Sequence, residues 1–257
     1  MNGRPPKGRK RGQPTLSPIT LNTMRKLPLL VLLFFVSGCT AQSNDTSGLP
    51  ETFKKAIPIE LKGGLKLVEV KNRCDGCEPW RYIDYFSNTS KEPIKREKVT
   101  VQAGYRAMYA YPDTHYFSNT KIEKSTPGSY ENDRKVMVDA LKHEYARKKE
   151  RVSGYLKENP GLKEKMEAFR AKGKDYIELE ESTYKGFDFI SYTENVIGLT
   201  GNTISEVHIF VPKSEIIVTA YLMRQEKAKF KTIDEFLKLR RDFIEGYIDF
   251  LSSNAGG

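Results

Sequence analysis

The 257-residue chain predicts an α+β fold, an antiparallel sheet with an inserted helical pair and a C-terminal amphipathic helix packed on the sheet. Three observations predict it. Val99 to Tyr111 carries an apolar residue at every odd position, the period of two that marks a strand with one buried side. Met137, Leu141, Tyr145, Lys148, Val152 and Leu156 recur at three- and four-residue steps within Glu131–Asn159, which predicts a long helix. Ile233 to Leu251 carries a broad apolar helical face at the end of the chain. Runs of strands separated by a helical block, instead of strict alternation, point to α+β.

Residues 1–23 hold Arg4, Lys7, Arg9, Lys10 and Arg11 among Pro and Gly. They read as an upstream extension outside the natural protein, with Met24 as the start. Residues 24–38 form a signal: Arg25 and Lys26, then the apolar run Leu27–Val36, then the small residues Ser37 and Gly38 before Cys39. That run is about ten residues, against roughly 20 for a helical span of a bilayer. Residues 39–50 are small and polar and read as a flexible tether. Residues 51–257 are enough for one α+β domain with a sizeable core.

Within that domain Leu65–Val70 and Trp80–Phe86 predict the first strands. The tyrosines of Val99–Tyr111 read as core, with a binding stripe as the alternative. YFSNT occurs at Tyr85–Thr89 and again at Tyr116–Thr120, with flanks too different to support a duplication. Asn159-Pro160-Gly161 ends the long helix, and Leu162, Met166 and Phe169 make one side of a shorter one. Lys142–Arg151 reads as a solvated helix face. Ile177–Glu180, Phe187–Ile190, Val207–Val211 and Glu215–Met223 predict strands, the last a central one because it is almost continuously apolar and β-branched. Thr232 and Glu235 fit a capping box at the head of the last helix. Asp234, Glu235, Asp242, Glu245 and Asp249 make its polar side too acidic for anionic lipid.

Charge narrows the function classes. The whole chain is formally +10, but residues 1–38 hold seven Lys or Arg and no acid, and without them 36 basic residues face 33 acidic ones, a net +3. A nucleic-acid partner is therefore not expected. Cys74 and Cys77 bracket Asp75-Gly76, which suits the centre of a tight turn. In an oxidising compartment this pair is read as a disulfide, and a redox pair is the alternative. No metal is expected, because CxxC occurs once and a zinc site needs four ligands. His143-Glu144 starts like a zincin motif, but Arg147 stands where the second His belongs. His115 and His208 lie in no motif. Glu178 and Glu180 share a strand side and read as a solvent-facing pair. No catalytic residue and no cofactor are expected, since no GxSxG, P-loop or GxGxxG is present.

Val36-Ser37-Gly38-Cys39 resembles the lipobox of bacterial lipoproteins, with Val36 where Leu is commonest. The resemblance implies cleavage between Gly38 and Cys39, lipid on Cys39, and a periplasm-facing position, with Thr40 favouring the outer membrane. The last 80 residues or so are loosely similar in element order to the PsbP-like fold. The plan of lipobox, tether and one mixed domain resembles type VI secretion immunity lipoproteins. It implies a membrane-anchored, non-catalytic module that binds a protein partner such as a secreted effector. A thiol–disulfide protein using Cys74 and Cys77, or a structural envelope lipoprotein, are the alternatives.

Overall fold

A computed structural model describes residues 45–73, 78–112, 117–170, 177–195, 203–223 and 233–254. The chain divides into two units, Met1–Thr40 and Ala41–Gly257, and the fold described is that of the second. Its elements are α1 (Glu51–Lys54), β1 (Glu60–Leu61), β2 (Leu65–Asn72), β3 (Trp80–Phe86), β4 (Pro93–Thr100), β5 (Ala103–Ala110), β6 (Ser118–Lys124), α2 (Tyr130–Glu158), α3 (Pro160–Arg170), β7 (Ile177–Tyr184), β8 (Phe187–Asn195), β9 (Thr203–Val211), β10 (Ile216–Met223) and α4 (Ile233–Asn254). The class is α+β. Eight strands form one antiparallel sheet in the order β1-β2-β5-β6-β10-β9-β8-β7, and β3 pairs with β4 as a separate hairpin.

The apolar strand Ile216–Met223 lies inside the sheet, paired on both edges and buried along most of its length. A tight turn joins β7 to β8 at one edge of the sheet. Lys185 and Gly186 both take positive φ, 47° and 81°, between Tyr184 and Phe187, the conformation a two-residue hairpin turn requires.

Helices cover the two faces of the sheet differently. On one face α4 sets Phe236, Phe243, Ile244, Tyr247 and Ile248 against Leu67, Tyr109, Ile122, Ile209 and Val218. Tyr109 meets Phe243 and Tyr247 edge to face, at centroid distances of 6.3 and 6.4 Å. The Tyr247 hydroxyl donates to the Ala56 carbonyl at 2.7 Å and ties α4 to the segment after α1. On the other face α2 packs Val136, Met137 and Leu141 on Ile190, Phe210 and Ile217, with Val99 of the hairpin in the same cluster. The hairpin is clamped to α2 at several points. Buried Asp133 accepts from the Thr100 amide at 3.1 Å and hydroxyl at 2.7 Å. Asn88 donates to the Arg147 carbonyl and to Glu150.

Three expectations change. Val99–Tyr111 is not one strand: β4 ends at Thr100, the Gln102 amide bonds to the Lys124 carbonyl, and β5 starts in the other sheet. Val99 is buried against α2, whereas Tyr109 is buried on the α4 face. Periodicity reports that a side is buried, not what buries it. Strand β6 is an addition, because two of its inward positions, Ser118 and Thr120, are fully buried hydroxyls that bond each other at 2.7 Å. The Lys142–Arg151 run is solvated only in part. Arg147 and Lys148 are largely buried and pair with Glu144 at 2.6 Å and Glu194 at 3.1 Å. The first YFSNT ends a strand, whereas the described part of the second, Phe117–Thr120, opens one, so the two copies are not equivalent.

Candidate functional site

A row of polar and ionisable side chains lies on the α2 side of the sheet. Thr219 and His208 are direct cross-strand partners on β10 and β9, and Tyr221 and Glu206 are the next pair. His208 Nδ1 lies 2.9 Å from the Thr219 hydroxyl, and Nε2 lies 3.2 Å from Glu206 Oε1. A carboxylate only accepts, so Nε2 carries the proton, and in the neutral ring Nδ1 accepts from Thr219. Burial pushes the Glu206 carboxyl up. Hydrogen bonds from His208 and Tyr221 and the charge of Lys121 outweigh that and hold it below the ordinary carboxylate value.

Hydroxyl, imidazole and carboxylate in this order form the relay that activates a nucleophile. Here Thr219 and His208 are each only 1 % exposed. A substrate has no approach to that hydroxyl, so the set satisfies buried polar groups.

The uncovered part of the same face is cationic. Lys71, Arg106 and Lys121 lie in register on β2, β5 and β6, and Lys121 is in turn the neighbour of Thr219. Lys71 pairs with Glu69 at 2.7 Å. Arg106 donates through Nε to Asn119 Oδ1 at 2.7 Å. The Lys121 ammonium stands over the Tyr221 ring, 5.3 Å from its centroid. Burial pushes the Lys121 amine down, and the like charges of Arg81 and Arg106 add to it against Glu123 and Glu206. Glu123 is held by Arg73 at 3.3 Å and by Arg81 through Nε at 3.2 Å and one terminal nitrogen at 2.9 Å.

A third surface is the outward side of the hairpin. Tyr82 faces Lys98 and Asp84 faces Arg96 across β3 and β4. Trp80 meets Tyr82 edge to face at 5.1 Å, and Lys98 stands 4.7 Å over the Trp80 ring. Tyr82 is 52 % exposed and Ile94 61 %.

The residues singled out in the sequence fare differently. Gly38, Cys39, Cys74, Cys77, His115 and Thr232 lie outside the described residues. His143 donates from Nε2 to the Phe86 carbonyl at 2.7 Å and holds the hairpin. Glu178 and Glu180 do share a side, but that side meets buried Arg240 of α4, at 4.0 and 3.2 Å. The Arg240 guanidinium also donates to Thr193. Among the described residues no group of three or more His, Cys, Asp and Glu could hold a metal ion. None of their helices is long and apolar enough to cross a membrane. The cationic row has no motif, because its members lie on three strands far apart in sequence. No family model, curated protein or solved structure matches the chain.

Proposed function

We propose that the protein is a bacterial envelope lipoprotein, held through lipid on Cys39 at the periplasmic side of the outer membrane, whose domain acts by stoichiometric binding to another protein. The observation that carries this reading is the outer face of the β3–β4 hairpin. Trp80 and Tyr82 meet on it beside Lys98, and Arg96 and the exposed Ile94 follow further along β4. Aromatic residues and Arg are the types enriched at interface centres. The hairpin is clamped to α2 through Asp133, His143 and Asn88, so little ordering remains for a partner to impose. The buried Thr219–His208 pair offers no hydroxyl to a substrate, which is consistent with this reading. In this reading α2 and α3 form a helical pair inserted into the sheet to hold the hairpin. The anchor supports it further, since confinement beside a membrane raises local concentration. An immunity protein against a secreted effector is the specific version, as the plan of signal, tether and domain suggests.

A photo-crosslinking residue at Tyr82 in the full lipidated chain tests the reading in intact cells, with one at Tyr155, 41 % exposed, as the control. A discrete adduct at Tyr82 that is absent at Tyr155 and lost with Trp80→Ala is expected. Identical adduct patterns at both positions, or a substrate turned over by the purified protein, would sink the binding-module reading.

A further inference from the structure

We propose that Arg106 and Lys121, with Lys71 beside them, form a binding site for a phosphate-class oxyanion on the α2-side face of the sheet. This site is distinct from the hairpin face and does not depend on the role given to it.

The row runs against the stability of the fold. Lys71 is the register partner of Arg106, and Arg106 that of Lys121. Strands are about 4.8 Å apart, so the three stems stand within roughly 10 Å. Like charges directly opposite each other on neighbouring strands are destabilising. Only Lys71 has a carboxylate within ion-pair distance among the described residues, Glu69 at 2.7 Å. The Arg106 hydrogen bond to Asn119 uses Nε and leaves the terminal nitrogens of the fork free to donate. It also fixes the plane of the guanidinium, as a planar acceptor needs. Lys121 is half-buried, and burial with its cationic neighbours disfavours its charge. An anion seated between Arg106 and Lys121 relieves both costs.

Charge selects the anion. The row carries three cations and one carboxylate, Glu69, a balance of +2. The next neighbours leave that balance unchanged, because Arg73 and Arg81 exceed Glu123 by one charge and Glu206 offsets it. A phosphate monoester carries about −1.5 to −2 at pH 7 with three acceptor oxygens, which matches two free cationic donors better than a carboxylate does. Arg106 is exposed and Lys71 keeps 66 % of its side chain exposed, so the ligand enters from solvent.

Titration of the full chain with inorganic phosphate, followed by ³¹P NMR, tests the site, with acetate as competitor at matched ionic strength. Saturable binding is expected, weakened about tenfold or more by Lys121→Gln and by Arg106→Gln, with acetate competing poorly. In phosphate-free buffer the same variants should melt about 1–3 °C higher, because each removes a like-charge contact. Absence of saturable binding, unchanged binding in both variants, or acetate competing as well as phosphate would overturn the assignment. Variants that melt lower without phosphate would show that the cations serve the fold and would equally overturn it.

Discussion

The His208 imidazole and the Thr219 hydroxyl face each other across β9 and β10 at 2.9 Å, and neither reaches solvent. Thr219→Val keeps the shape and removes the hydroxyl, leaving His208 Nδ1 without its buried partner. The expected cost is about 1–3 kcal/mol, read from denaturant unfolding, with partner binding unchanged. A neutral effect on stability combined with loss of function would reverse the structural role given to this pair.

Glu206 makes stability depend on pH. Its folded carboxyl is held below the ordinary value of 4.5. Such a group contributes stability that is fully present above its unfolded pKa and is lost as the pH falls through its lowered folded value. Glu206→Gln removes that contribution. The variant should be less stable than the parent at neutral pH, and the difference should close as the pH falls below 4.5 through the lowered folded value. Urea titrations at several pH values check it, and a constant difference across the range would contradict it.

Asp133 anchors the start of α2 to the end of β4. It is 1 % exposed and accepts two hydrogen bonds from Thr100. Its charge in the first turn also complements the helix dipole. Asp133→Ala strands the Thr100 donors and should cost about 2–4 kcal/mol. Hydrogen exchange should then quicken in the hairpin first, since it is held largely by α2.

Gly246 lies inside α4, where alanine normally stabilises by about 1 kcal/mol. A Cβ there would stand 3.0 Å from Lys62 Cβ and 3.2 Å from its backbone nitrogen. The close approach of α4 to the segment after β1 therefore leaves a side chain there little room. Gly246→Ala should lower the melting temperature despite its helix propensity, and a rise would show that the segment yields freely.

Cys39 carries the membrane reading. Cys39→Ala should leave an unprocessed precursor and abolish labelling by a fatty-acid analogue. Cleavage and labelling that persist in the variant would overturn the lipobox reading.

Much of the fold was legible in local pattern. β3 spans Trp80–Phe86 as its residues predict, Ile216–Met223 is central, and α4 presents the expected apolar face to the sheet. Each of these segments declares itself through its own residues, by an apolar period or, for Ile216–Met223, a nearly continuous apolar run, because the identity of its partner does not change which positions must be apolar. β6 did not declare itself, since its core-facing Ser118 and Thr120 satisfy each other and erase the apolar alternation.

The candidate sites were less legible for the same physical reason. The sequence alone determined the signal-like stretch ending at Cys39, the near-balanced charge of the chain beyond that cysteine, and the alternation of most strands. Only the tertiary structure decided that β4 and β5 part company at Gln102, that Glu178 and Glu180 meet Arg240, that His208 is sealed beside Thr219, and that Lys71, Arg106 and Lys121 share one row. Those relations depend on strand register and on which layer covers which face. Register is set between segments distant in the chain, and a slip of one residue would send every side chain to the other face.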